Sequence, residues 1–370
     1  MDHLQAVRAR LGQVRDPELG ATLEELGMLG EVREESGTLV VDVALTTRAC
    51  PLRATIERDV EDAARAAGVE RVEVRTGVMD PAAKAALMDR ARALAQRRAP
   101  STSVPHGASV LMVASGKGGV GKSSLAAGLA LALAEAGRVV GVLDADIWGF
   151  SLAALLDMRE PVRVREGRMV PVARRVGAGE VRLLSMGQLA EDDAALLWRG
   201  LVVQKAVAQF IEDADWSGCD YLIIDTPPGT GDIHMTLARL LPQMGQLVIT
   251  TPAAGAAAVA ARAGDFARRS NLRVLGVIEN MSPFTCEAGV RHAPFGEGGG
   301  ERVARELGVD LLGQIPLNED PDMLQGPLRA SGEALAALAA RLLDELAPRD
   351  LSGCSARLLE RVEAALADSA

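Results

Sequence analysis

The chain reads as an α/β protein, a doubly wound and mostly parallel sheet carrying a phosphate loop, preceded by a small α+β domain. Three observations predict this. Short continuous apolar runs (SVLMVAS, VVGVLDAD, YLIIDTP, QLVITTP, LRVLGVIEN and DLLGQIP) alternate with helical segments, the pattern of parallel strands covered on both faces. Residues 116–123 read G-x-x-x-x-G-K-S, placed between a predicted strand and a predicted helix. Ahead of them, APSTSVPHG has the Pro, Ser and Gly content of a connection, and the patterning changes across it.

Taken in order, residues 1–95 form the small domain. Residues 2–12 predict a helix, GTLVVDVALTT alternates as a strand, CPLRATIERDVEDAARAAG predicts a helix, and VERVEVRTGV a second strand. The helical DPAAKAALMDRARALAQRR follows, and residues 96–107 are expected to be a linker. Residues 108–348 hold the alternating strands and helices and close with the amphipathic EALAALAARLLDELA. Residues 349–370 predict an added C-terminal helix.

Hydrophobic residues make up 48% of the 370 but aromatics only 2%, so Ala, Val and Leu must fill the core. A net charge of −10 argues against a nucleic-acid surface, which needs a basic footprint. The apolar run at residues 125–134 is too short to cross a bilayer, and MDHLQAVRARLG lacks the apolar core of a signal peptide. A soluble, cytoplasmic chain with no stable membrane association is expected. Cys50, Cys219, Cys286 and Cys354 form no C-x-x-C pair, and disulfides are not expected.

The loop carries the first chemical expectation. Gly116, Gly118, Gly119, Val120 and Gly121 offer backbone N–H groups to phosphate oxygens, and the helix opening at Lys122, Ser123 and Ser124 adds positive potential. Lys122 is expected to reach the β and γ phosphates, and the Ser123 hydroxyl to take Mg²⁺. Asp225 ends one apolar strand, and Asp144 with Asp146 ends another, placing carboxylates on the ligand edge of an open parallel sheet. Asp144 and Asp225 are candidates for holding Mg²⁺, and Asp146 for orienting the attacking water. The alternative is that these strand-end aspartates form turns or cap helices. Gly229 and Gly231 supply a loop near the γ-phosphate. Lys117, directly after the first glycine, has no role in an ordinary phosphate loop.

K-G-G-V-G-K-S, with DADIWG and DTPPGTGD, resembles the deviant phosphate-loop ATPases of the MinD/ParA class. WRG (198–200), DTPPGTGD, TTP (250–252), ENMSPF (279–284) and FGEGGG (295–300) resemble its Mrp/ApbC branch of ATP-binding iron–sulfur cluster carriers, over residues 108 to about 340. The resemblance implies a homodimer in which Lys117 crosses to the partner's phosphates, acting as an arginine finger does. It implies Asn280 near the adenine and Pro316 against the base. It also implies exchange with apo iron–sulfur proteins and cluster scaffold proteins. DPELG, LEELGML and ACPL resemble the small metal–sulfur cluster assembly domain fused ahead of such proteins. That likeness implies a reactive Cys50, activated at a helix N-terminus; a small buried packing residue is the alternative.

The chain departs from the branch at one point. Relatives that bind the cluster carry C-x-x-C after the NMS segment, two pairs bridging a four-iron cluster across the dimer. This chain has Cys286 at the first position and Gly289 at the second. Glu287, His292 or Cys50 are the candidates to complete a set, though spacing favours none of them, and an ordinary loop or buried thiol is the reading preferred for Cys286. The stretch after TTP is also poor in charge, and Phe150 stands where relatives often have Pro. His234 is expected to pack or cap on a helix, Cys219 to lie in the core and Cys354 in the tail, and Arg199 to serve either the nucleotide or a surface ion pair. The leading expectation is an ATP-hydrolysing cluster carrier. A nucleotide-gated scaffold that holds no cluster is the alternative, and a MinD/ParA-like positioning ATPase the third reading.

Overall fold

The computed structural model describes residues 3–17, 19–47, 50, 52–98, 100–146, 149–188, 200–317 and 330–346. The chain divides into two compact units, Met1–Arg98 and Ala99–Ala370.

The first unit contains α1 (His3–Leu11), α2 (Leu23–Leu26), β1 (Leu29–Glu35), β2 (Thr38–Leu45), α3 (Arg53–Ala66), β3 (Val72–Val78) and α4 (Pro81–Arg98). Its three strands lie in the order β1-β2-β3, the first pair antiparallel and the second parallel. β1 was not expected from the sequence, because LGEVREE buries Val32 alone and shows no apolar alternation. Thr22 starts α2 with a capping box, its hydroxyl accepting from the Glu25 N–H while Glu25 reaches back to the Thr22 N–H. α3 buries Ile56, Val60 and Ala64, four residues apart, in a cluster with Leu11, Val41, Val43 and Leu87. α4 runs three residues past the expected boundary at 95.

The second unit contains β4 (Ser109–Ala114), α5 (Lys122–Glu135), β5 (Val139–Asp144), α6 (Leu152–Leu155), β6 (Arg163–Arg165), β7 (Arg168–Val170), β8 (Val172–Val176) and β9 (Gly179–Ser185). There follow α7 (Gly200–Glu212), β10 (Tyr221–Asp225), α8 (Asp232–Leu240), β11 (Gly245–Thr250), α9 (Ala254–Arg269), β12 (Arg273–Ser282), β13 (Phe284–Thr285), β14 (Arg291–His292), α10 (Gly299–Leu307), β15 (Leu311–Pro316) and α11 (Ala330–Glu345). Eight strands form one sheet in the order β15-β12-β11-β4-β10-β5-β9-β8, parallel except for the edge strand β8. The pleat explains why these strands read as continuous apolar runs. Leu111, Val113, Tyr221 and Ile223 face a core shared with α5 and α11, whereas Val110, Met112, Leu222 and Ile224 face a core shared with α7 and α8.

β8 and β9 were not anticipated, since VARRV is mostly exposed and GEVRLLS is interrupted by charge. The linker expectation is corrected in part. Val104 is buried in the α7-side core, and the Ser103 N–H and hydroxyl both donate to the Ile211 carbonyl, so these residues belong to the large unit. The low charge of α9 also has a cause. Ala256, Ala257, Ala260, Ala261, Ala263, Gly264 and Ala267 are buried, which lets α9 pack closely against both the sheet and α10.

Candidate functional site

The phosphate loop leaves β4 at Ser115, whose hydroxyl donates to the Lys117 carbonyl at 2.8 Å and curls the chain back on itself. Gly119 (φ +74°) and Gly121 (φ +77°) lie in the left-handed region that favours glycine, and Gly121 is the residue from which α5 starts. Two positions also need glycine for space. A Cβ on Gly121 would stand 2.2 Å from Asn280 Nδ2, and one on Gly116 would stand 2.1 Å from the Val259 carbonyl oxygen of α9. Gly118 is less confined, its nearest neighbour being Pro228 at 3.8 Å. Val120 is buried in the core beneath the loop, while Ser123 and Ser124 are half-buried in the first turn of α5.

At the ligand edge, strand register brings the carboxylates together. Asp225 ends β10 and pairs with Val113 of β4 on one side and Asp144 of β5 on the other. Its two oxygens accept from Lys122 Nζ at 3.1 Å and from the Ser123 hydroxyl. Burial raises the Asp225 pKa, while Lys122 and Ser123 pull it down. Asp144 accepts from the Ser185 hydroxyl at 3.0 Å and from the N–H groups of Asp146, Ser151 and Leu152 at 3.2 Å each. Burial and the neighbouring Asp225 charge push its pKa up to about 6. Asp146 is buried, and its Oδ1 accepts from the Gly149 N–H at 3.1 Å, the turn-forming contact weighed for it as the alternative. The loop after Asp225 is tied to the phosphate loop, since the Gly229 N–H donates to the Ser115 carbonyl at 2.9 Å.

β12 delivers two further side chains. Asn280, 5% exposed, donates its amide to the Val120 carbonyl at 2.9 Å, so it braces the phosphate loop from a strand two places along the sheet from β4. Glu279 was not singled out from the sequence. It is fully buried, and accepts from the Gly300 N–H at 2.6 Å and from Gln314 Nε2 at 2.8 Å. The glycines of FGEGGG have a matching reason. Gly298 has φ +73°, a Cβ on Gly299 would stand 2.4 Å from the Thr251 carbonyl oxygen, and one on Gly300 would stand 2.7 Å from Glu279 Cβ. Pro316, half-buried, ends β15 opposite Ser282.

Lys117 is exposed, and its ammonium has no hydrogen bond or ion pair among the described residues. His234 is 1% exposed on α8, edge-on to Phe266 at 6.1 Å between ring centroids, and neither ring nitrogen has a protein partner. Burial, with the Lys122 charge adding, pushes its pKa down to about 4, so the ring is neutral at physiological pH. Cys219 lies in the core, where burial pushes the thiol up to about 11. Cys50 is half-buried against the small unit's core, three residues before the start of α3. Trp148 of DADIWG, Arg199, Cys354 and the expected helix at 349–370 lie outside the described residues.

Cys286 and His292 stand on the β13–β14 hairpin, Cys286 half-buried and His292 exposed. Gly289 takes φ +75° and donates its N–H to the Cys286 carbonyl at 2.9 Å, closing the turn where relatives are expected to place a second thiolate. Gly289 has no side chain to ligate, so a cluster bridged by two C-x-x-C pairs does not fit this chain; among the described residues, no group of three or more His, Cys, Asp or Glu is placed to hold a metal ion.

A glycine loop opening a helix at the edge of a parallel sheet, with a buried lysine and serine meeting a strand-end aspartate, defines a phosphate-loop nucleotide hydrolase. Comparison with known proteins gives the family. Residues 107–328 match the ParA family model described as NUBPL iron-transfer P-loop NTPase, and residues 4–75 match the model of an iron-sulfur cluster assembly protein. The chain is 40% identical over 327 residues to the iron-sulfur cluster carrier protein of Mycobacterium leprae, covering 86% of this chain and 84% of that protein. It is 38% identical over 359 residues to the protein of the same name from Deinococcus radiodurans, covering 94% and 97%. Among solved structures, a nucleotide-binding protein of Archaeoglobus fulgidus in complex with ADP superposes with a TM-score of 0.51 at 32% identity, covering 65% of this chain and 92% of that one. The chain belongs to the family of iron–sulfur cluster carrier P-loop NTPases, and is an ATPase. No helix among the described residues is long and apolar enough to cross a membrane.

Proposed function

We propose that the chain is a nucleotide-switched homodimer that carries iron–sulfur clusters to apo-proteins, loading or releasing its cargo as ATP is bound and hydrolysed. The observation that carries this reading is the Lys122–Asp225–Ser123 contact. The two groups that a triphosphate and its Mg²⁺ recruit are both turned to Asp225, a buried carboxylate whose following loop is tied to the phosphate loop by the Gly229–Ser115 contact. With nucleotide bound, Lys122 would reach the β and γ phosphates, and the Ser123 hydroxyl, Asp225 and Asp144 would hold Mg²⁺, whose charge would favour both carboxylates ionised. Loop N–H groups from Gly116, Gly118, Gly119, Val120, Gly121, Ser123 and Ser124 hold phosphate oxygens. Asn280 keeps the loop in shape on the side where Pro316 ends its strand.

Hydrolysis is in-line attack of water on the γ-phosphorus, with the bond to the bridging oxygen breaking, to give ADP and phosphate. Asp146 orients that water once its turn contact with Gly149 opens. Lys122 and the partner's Lys117 neutralise charge as it builds on the bridging oxygen. Lys117 suits a role across an interface because its ammonium is exposed and uncommitted among the described residues. Lys117→Ala should lower ATP turnover by about 10³-fold or more, the scale of a trans cation, while leaving ADP binding in place. Unchanged turnover, or a chain that sediments as a monomer in ATP, would remove the dimeric mechanism.

The loss of the second thiolate at Gly289 favours a second reading, a nucleotide-gated scaffold that holds no cluster itself. Iron binding by the purified chain separates the two.

A further inference from the structure

The geometry points to a mixed cargo centre, held by Cys286 and His292 from each of two copies of the chain in place of an all-cysteine one. This rests on the dimeric carrier reading and gives it a ligand set. β13 and β14 pair Phe284 with His292 and Thr285 with Arg291, and the Cys286 N–H donates to the Val290 carbonyl at 3.0 Å. Alternation therefore puts Phe284, Cys286, Val290 and His292 on one face of the hairpin, and Thr285 and Arg291 on the other. Cys286 and His292 are diagonal neighbours on that face, about 7–8 Å apart across the two strands, a separation their side chains span toward a common centre.

The face is open, with Val290 53% exposed. The His292 ring is stacked on Phe284 at 5.2 Å and 24°, which limits its rotation. Cys286 is a free thiol, and among the described residues neither its sulfur nor a His292 nitrogen is engaged in a hydrogen bond or ion pair.

One hairpin supplies two ligands, and a cluster needs four. A two-fold axis doubles the set to two thiolates and two imidazoles. That is the donor set of two-iron clusters in which histidines replace two cysteines. The ligands bind as thiolate and neutral imidazole, so loading releases protons. Two ferric ions and two sulfides form a core of charge +2, which the two thiolates neutralise, so assembly from these parts needs no electron donor. Gly289 then has a purpose other than loss. A left-handed glycine keeps the turn tight and holds the two strands in the register that aligns Cys286 with His292.

The test is anaerobic reconstitution of the full chain with ferric iron and sulfide, with and without ATP, followed by iron and sulfide analysis and pulsed EPR of the reduced protein. About two irons and two sulfides per dimer are expected, with nitrogen couplings from histidine. Cys286→Ala should lose about nine-tenths or more of the iron, and His292→Cys should keep the iron while losing the nitrogen couplings. Both positions lie on an exposed hairpin, and an unchanged melting temperature will show that the variants fold. Four irons per dimer, or iron binding indifferent to His292→Ala, would overturn the mixed centre. A colourless chain that still dimerises in ATP would sink the mixed centre alone and leave the nucleotide switch standing. A chain that stays monomeric in ATP would take the dimeric reading down with it.

Discussion

Replacing Asn280 with alanine distinguishes a loop brace from a base-contacting residue. The amide is 5% exposed and donates to the Val120 carbonyl at 2.9 Å, inside the phosphate loop. Losing a buried hydrogen bond and leaving that carbonyl without its partner costs about 1–3 kcal/mol. For a unit of this size each kcal/mol lowers the melting temperature by about 2–4 °C, so a loss near 2 kcal/mol appears as about 4–8 °C. A brace serves every nucleotide alike, so ADP and GDP should weaken by the same factor in isothermal titration. Asn280→Asp keeps the shape but sets a carboxylate oxygen against the Val120 carbonyl, and should be at least as damaging. An unchanged melting temperature together with a collapsed preference for adenine would refute the brace and return the amide to the base.

Two further outcomes follow from the same site. Gly121→Ala places a Cβ 2.2 Å from Asn280 Nδ2 at φ +77°, and should abolish nucleotide binding while lowering stability by about 1–3 kcal/mol; retained ADP affinity by calorimetry would show that the loop tolerates the strain. Asp144, with its pKa raised from 3.8 to about 6, favours folding in its protonated form. Its contribution is full below pH 4 and lost as pH rises through 6, a change of about 3 kcal/mol. Melting curves of the nucleotide-free chain between pH 5 and 7.5 should show about half of this loss, and Mg²⁺ with nucleotide should offset it. A slope identical in Asp144→Ala would assign the effect elsewhere.

The nucleotide site was legible because its parts are local. The glycines, Lys122, Ser123 and the strand-end aspartates each announce themselves within a few residues of sequence, and the alternating sheet places them. What was not legible depends on pairing between distant segments. Glu279 reads as one charged residue at a strand end, and only the approach of α10 makes it the acceptor for Gly300. Asn280 reads as a polar strand end, and the direction of its amide is set by the glycine that leaves room for it at 121. Asp144 reads as a metal ligand, whereas Ser185 on the unanticipated β9 and the N–H groups near α6 take much of its capacity. β1 and β8 were missed because edge strands bury little and lack the apolar pattern of their neighbours.

β12 does not stop at Asn280. Two residues beyond it, at Ser282, the strand ends, and Phe284 begins the hairpin that bears Cys286. Between Asn280 and Ser282, Met281 sits at φ +56°, a conformation uncommon for a side chain of its size, and the pairing with β15 slips a register at that point. Cys286 thus follows Asn280 by only a few residues, and the Asn280 amide holds the Val120 carbonyl of the phosphate loop. A shift of that loop would reach the hairpin through one hydrogen bond and a short, partly contorted stretch of chain, a route that would carry the nucleotide state to the proposed cargo ligand.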